Sequence, residues 1–301
     1  MSEKAKNILV LKVDVDMLKG YLEGVPRMAA VLARQNVKAS FYFSFGPDNS
    51  GKAIFRIFRK GFIQKMLRTN APGTYGIKTM MYGTLLPAPG IVGPNRQVLK
   101  DIFESGHECA LHAWDHVKWQ DKLPKLTAAQ IREDLKKAAD LFENILGQKP
   151  RAFAAPGWQL TAPALEALDS FNFDYVSNTR GQTPFMPVFW GRKFNTPEIP
   201  STLPTMDEIF GMEGINDGTV VDYYLSLLKP GLNVHTVHAE MEGGPKLKQF
   251  EELIKAALEK GYIIKPLCEI AKELKNLPAG DIELGFLPGR AGTVAVQKIN
   301  P

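Results

Sequence analysis

Two short strings hold most of the chemistry that can be read from this chain of 301 residues. The first, VDVD, closes an apolar run near the N-terminus and sets Asp14 and Asp16 two residues apart. Side chains alternate across a strand, so both carboxylates face the same side. Carboxylates held together repel unless a cation or a shared proton relieves them. The second string belongs to the histidines, all five of which fall into GHECALHAWDH and VHTVHAE. His112 and His116 are four apart, the spacing that puts two imidazoles on one face of a helical turn. With one carboxylate of the DxD pair they offer a ligand set for a divalent ion, with positions left for water and substrate. His235 and His238 are three apart, hence on opposite faces of a regular strand, and His107 in ESGH reads as a capping or core residue.

The elements that must position these groups alternate. ILVLKV, ASFYFSF, HECALHA, RAFAAP, YVSNT, NVHTVHAE and GYIIKP have strand character, and stretches such as VPRMAAVLARQ, TAAQIREDLKKAADLFENILG and KLKQFEELIKAALEKG have helical periodicity between them. Repeated βα units make a mainly parallel sheet, open or closed into a barrel, whose strands end in active-site loops. VDVD and the histidine strings lie at such ends. Cys109 and Cys268 are far apart in sequence and sit in apolar surroundings, which suits reduced core thiols. The start MSEKAKNILVLKVDVD lacks the pattern of a signal peptide, and no run reaches the length of a spanning helix. These features lead us to expect a cytoplasmic location.

In order along the chain, VDVD, HAWDH, AAPGW, YVSNTRG and VHAE resemble the five motifs of the polysaccharide deacetylase (NodB-homology) superfamily, metal-dependent N- and O-deacylases. The resemblance implies an α/β fold, a distorted (β/α) barrel. It implies Asp14 as general base and His238 as general acid. Asp16, His112 and His116 would bind one divalent metal ion, zinc or else manganese, cobalt or iron. Pro156, Gly157 and Trp158 would line the substrate site, with a backbone N–H near Pro156 and Gly157 to hold the oxyanion and Trp158 to stack on a sugar ring. The third motif of the superfamily commonly begins with an arginine that orients the base; the matching residue here is Ala154, and Arg180 is the candidate substitute. Asn178 stands where many relatives have aspartate. Both departures point to a divergent branch. Further strings, VDVDMLKGYLEGVPR, FSFGPDN, IPSTLPTMDE, HAEMEG and PGRAGTVAVQ, resemble the bacterial 4-deoxy-4-formamido-L-arabinose-phosphoundecaprenol deformylases. That resemblance implies removal of formyl from an aminoarabinose carried on undecaprenyl phosphate, a step toward lipid A modification.

Two segments interrupt the alternation. Residues 276–301 form a tail after a catalytic domain of 1–275, and residues 46–93 form an insertion after the second strand, placed to flank the site. The chain carries a net +5, yet nine Lys and Arg lie between Asp48 and Asp101 with no acidic residue among them, so the remainder is net acidic. That distribution disfavours nucleic acid as a partner and favours an anionic membrane surface. From Lys52 to Phe62 a helical wheel sets Ile54, Phe55, Ile57, Phe58 and Phe62 against Lys52, Arg56, Arg59 and Lys60, followed by Lys65, the pattern of an interfacial amphipathic helix. The expected placement is peripheral, on the cytoplasmic side of the inner membrane.

Overall fold

The structure, a computed structural model, describes residues 6–58 and 76–299. Its main sheet is parallel. β1 (Ile8–Val15), β2 (Ser40–Phe43), β3 (Glu108–Leu111), β4 (Ala152–Phe153) and β5 (Tyr175–Val176) lie in the order β5-β4-β3-β2-β1, with later strands beyond. A second sheet starts with β6 (Met186–Phe189) and β7 (Arg192–Lys193). The main sheet is completed by β8 (Leu232–His238) on the far side of β1 and by β9 (Ile263–Ile264), which pairs with the first two residues of β1. β10 (Ala279–Phe286) and β11 (Thr293–Gln297) finish the second sheet in the order β11-β10-β6-β7. The arrangement is a half-barrel with helices outside.

β1 shows why the sheet folds this way. Buried on both faces, it reads as a near-continuous apolar run, as parallel strands do. Leu9, Leu11, Val13 and Val15 pack outward under the helices, within the main core. Val10 faces inward with Tyr42, Ala110, Ala152, Ala154 and Tyr175. Lys12 and Asp14 continue that inner row by the two-residue period. The outer layer includes α1 (Val25–Arg34), α2 (Arg96–Glu104), α3 (His116–Lys122) and α4 (Ala128–Leu146). α4 is bounded by a Thr127–Gln130 capping box and by Gly147 at φ 71°, and it buries Ile131, Leu135, Ala138, Phe142 and Ile145 along one face.

The tail is built into the fold. β10 runs parallel to β6, and β11 is tied to Arg180, whose N–H donates to Ala295 O (2.9 Å) and whose O accepts from Gln297 N–H (2.7 Å). In the insertion, Ser50–Phe58 is a 3₁₀ helix rather than an α-helix, and it packs on a second 3₁₀ turn at Thr79–Met81. Arg59, Lys60, Phe62 and Lys65 lie outside the described residues, as do the side chains of Phe55 and Phe58. No helix among the described residues is long and apolar enough to cross a membrane.

Candidate metal and catalytic site

The site lies along the carboxyl ends of β1, β3 and β8. Register sets Asp14 beside His238 of β8 and Tyr42 of β2, while Leu111, the residue before His112, pairs with Phe43. The HxxxH spacing is met, though not by one helical turn as expected. His112 follows β3, Ala113 turns the chain with φ 69°, and His116 opens α3. Asp115 fixes that start, because its side chain accepts the Lys118 N–H at 2.9 Å as the helix N-cap.

Asp16, His112 and His116 offer three ligand atoms within 4.8 Å of one another. His112 Nε2 is 3.3 Å from Asp16 Oδ1, and His116 Nε2 is 3.3 Å from Asp16 Oδ2. Atoms that share one tetrahedral ion through bonds of about 2.0–2.1 Å lie about 3.4 Å apart. The tautomer of His112 supports the same conclusion. Its Nδ1 faces Ala154 O at 2.8 Å, a group that only accepts, so Nδ1 carries the proton and Nε2 presents a lone pair. That lone pair meets Asp16 Oδ1, a buried oxygen with no hydrogen bond. In the neutral ring two acceptors face each other, a conflict that a bound cation would resolve. Burial works against charging His116 and, with His112 nearby, outweighs the pull of Asp16, so its pKa falls to about 4 and the ring is neutral at pH 7, as a ligand must be.

The cation in contact with Asp14 is Lys12, not Arg180. Lys12 is fully buried, and its Nζ donates to both Asp14 oxygens, at 2.8 and 2.7 Å. Arg180 instead binds both oxygens of Glu208 (2.8 and 2.9 Å) and Leu203 O (2.8 Å), and it does not line the pocket that holds Asp14. Its backbone is tied to β11, which directs the side chain toward Glu208.

His238 stands on the same pocket as Asp14 and Asp16. Burial opposes its charging, but Asp207, Asp16, Glu242 and Asp14 prevail and raise its pKa, favouring the protonated ring. Glu242 Oε2 accepts the backbone N–H of His238 at 2.9 Å, and Glu240 Oε1 accepts the backbone N–H groups of Asp16 (3.0 Å) and Met17 (2.8 Å), which anchors the loop after β1. Asp207, Glu240 and Glu242 were not singled out in the sequence, although HAEMEG and TMDE contain them.

Gly157 and Trp158 line the same pocket, of about 230 Å³, and Pro156 precedes them in a 3₁₀ turn. Gly157 is required there: φ is 59°, and a Cβ would sit 2.5 Å from Gln120 Nε2. The insertion forms one wall through Ser50, Gly51, Ala53, Ile54, Thr79 and Met80. Arg56, expected on the polar face of a membrane helix, turns inward, where Nε donates to both Asp121 oxygens (2.9 and 3.0 Å) with its side chain 13% exposed. His235 faces away from the site, as its spacing from His238 implied; its buried ring packs on Tyr224 at 4.3 Å. His107 is a core residue whose Nδ1 accepts the Ala39 N–H.

The polysaccharide deacetylase family profile matches residues 3–176. The chain belongs to the polysaccharide deacetylase family. This deacetylase-family chain is 38% identical over 299 residues to a Shewanella sediminis protein named a probable 4-deoxy-4-formamido-L-arabinose-phosphoundecaprenol deformylase, covering 99% of the chain and 97% of that protein. It is 34% identical over 283 residues to a protein of the same name from Wigglesworthia glossinidia brevipalpis, covering 91% and 97%. The structure of a probable polysaccharide deacetylase from Pseudomonas aeruginosa PAO1 shares the fold, with a TM-score of 0.61 at 15% identity over 89% of this chain and 90% of that one. Family and relatives together support a hydrolase of the deacetylase and deformylase class.

Proposed function

We propose that this deacetylase-family protein hydrolyses the formamide of an undecaprenyl-phosphate-linked 4-deoxy-4-formamido-L-arabinose, giving formate and the free amino sugar lipid used in lipid A modification. The observation that carries this reading is the site itself: a three-ligand metal set flanked by a carboxylate fixed by Lys12 and by an imidazole biased toward its protonated form. Similarity over nearly the whole chain to relatives named as such deformylases supports the substrate. Asp16, His112 and His116 would hold the ion, and their donor set suits zinc and also manganese, cobalt or iron. When bound, such a metal supplies an acidified water, with a pKa of about 7, and polarises the amide oxygen.

The remaining work falls to side chains. Asp14 accepts the proton of the attacking water as the C–O bond forms. His238 gives its proton to the nitrogen as the C–N bond breaks, because an amine anion is too basic to leave. Gly157 lines the pocket, and its backbone N–H would serve an oxyanion there.

The lipid-linked substrate calls for a peripheral position on the cytoplasmic side of the inner membrane. Ile54, Ile77 and Leu85, which are 60%, 72% and 80% exposed on the insertion, support contact with an anionic surface. The test is formate release from a short-prenyl phosphate-linked 4-formamido-arabinose by the metal-loaded protein, beside its N-acetyl counterpart and a chelated control. Chelator-sensitive formate release, lost in Asp16→Asn and His112→Ala, is the expected result. Acetate release in its place would overturn the substrate, and release that survives chelation would overturn the metal site.

A further inference from the structure

The metal end of the pocket is acidic, lined by Asp14, Asp16, Asp207 and Glu240. The metal ion and Lys12 would offset that end, and Arg56 on the same wall is paired with Asp121, so an anionic group far from the metal needs a further cation on the wall. The tail provides one. The turn between β10 and β11 brings Arg290 and Ala291 into the pocket wall beside Trp158. Arg290 is immobilised on two sides: its guanidinium lies 4.6 Å from the Trp158 ring centre, and its Nη1 donates to Glu208 Oε1 at 3.0 Å. Arg180 binds both oxygens of that same Glu208, so two guanidiniums share one carboxylate. Among the described residues nothing accepts a hydrogen bond from Nε or Nη2 of Arg290, neither atom is among the buried unpartnered ones, and the residue lines the pocket. A planar donor edge already fixed by stacking suits two oxygens of one phosphate, and little side-chain freedom remains to be lost on binding.

We propose that Arg290 forms an anion subsite that receives the phosphodiester of the lipid-linked sugar, and with it selects phosphate-linked over phosphate-free substrates. The inference rests on the proposed function, since in that substrate the scissile formamide and the phosphate lie across one sugar ring and must share one pocket. It also gives the tail a task at the site.

The experiment compares kcat/KM for a short-prenyl phosphodiester of the 4-formamido sugar and for its methyl glycoside, in metal-loaded protein without vesicles, for the wild type, Arg290→Gln and Arg290→Lys. The wild type should prefer the phosphodiester, Arg290→Gln should lose about tenfold or more of that preference through KM, and Arg290→Lys should keep part of it. Calorimetric binding of a short-prenyl phosphate supplies a readout independent of turnover, again with about tenfold weaker binding expected for Arg290→Gln. An equal fall on both substrates, or unchanged affinity for the prenyl phosphate, would overturn the subsite and leave Arg290 a support for Trp158. If the wild type hydrolyses neither substrate the proposed function falls, while the binding measurement still decides the subsite. Loss of adsorption to phosphatidylglycerol vesicles with soluble prenyl phosphate binding intact would assign Arg290 to bilayer headgroups and overturn the proposal.

Discussion

Replacing Lys12 with methionine removes the cation from Asp14 while keeping an unbranched side chain against the rings of Tyr42 and Trp158, which lie 5.3 and 5.5 Å from Nζ. Lys12 is 0% and Asp14 3% exposed, so water replaces little of the two lost contacts of 2.8 and 2.7 Å. The nearest imidazole nitrogen, His112 Nε2, is 3.9 Å from Asp14 Oδ2, too far for a hydrogen bond. Leaving one member of a buried ion pair behind typically costs about 3–5 kcal/mol. Asp14 borders the pocket, which allows some solvent relief and places the cost near about 3 kcal/mol. Asp14→Asn strands the ammonium instead, with Glu198 the remaining buried carboxylate that feels its charge. The double variant carries neither charge. Urea unfolding of the four proteins should therefore give a coupling of about 2 kcal/mol or more, with the double variant less destabilised than the sum of the singles. Additivity within about 0.5 kcal/mol would refute a mutually dependent pair. Activity supplies a second arm. Lys12→Met should lower kcat with little change in KM, and Lys12→Arg should recover part of it, because the lysine acts by holding the base in place.

Two further expectations concern His107, in the core at the amino end of β3, and Asp115, the cap of α3. Burial, with help from Lys38, lowers the His107 pKa to about 4 against an ordinary 6.5, so between these values the unfolded chain binds more protons than the folded one. Stability should fall as pH drops from 6.5 through 4, by about 3 kcal/mol from this residue, and the difference between wild type and His107→Asn in urea titrations should change across that window. A difference that does not vary with pH would exclude the assignment. Asp115→Ala removes the cap of α3 and an acceptor for Asn49 Nδ2 (2.7 Å), and should cost about 1 kcal/mol of stability. Because His116 is the first residue of that helix, metal affinity in a competitive chelator titration should fall with it.

The strands carrying the site were legible because buried parallel strands are apolar runs and helices show their period; VDVD and the histidine strings then fell at strand ends by position alone. What stayed hidden depended on contacts between distant segments. Glu240 holds the Asp16 loop from 224 residues away, and nothing in HAEMEG distinguishes such a carboxylate from a surface one. Arg56 looked like the polar face of an amphipathic helix, and its partner Asp121 is 65 residues further on. The tail read as an appendage because its strand partners are β6 and the backbone of Arg180. Lys12 is a different case, since the alternation that put Asp14 and Asp16 on one side puts Lys12 there too. It reads as a break in the apolar run, yet a lysine two residues before a strand-end aspartate on a buried strand has nowhere to send its charge except along its own row.

The position of that lysine bears on how the whole pocket is organised. With Ala154 at the start of the third motif, the cation facing Asp14 comes from β1 itself, and Ala154 offers only its carbonyl, which orients His112. Asp14 is thus fixed from within its own strand, and His112 from the residue that follows the neighbouring strand β4. Trp158 joins this end of the pocket to the other, since its ring centre lies 5.5 Å from Lys12 Nζ and 5.1 and 4.6 Å from the guanidinium carbons of Arg180 and Arg290. Three cations around one indole repel each other, and two carboxylates, Asp14 and Glu208, offset them. Loss of either carboxylate therefore loosens charges that share the same ring, so a substitution at Glu208 should disturb the Lys12–Asp14 pair although no hydrogen bond links them. Conversely, an anion beside Arg290 would lower the repulsion that Lys12 feels across Trp158, and so would couple anion binding there to the fixing of Asp14.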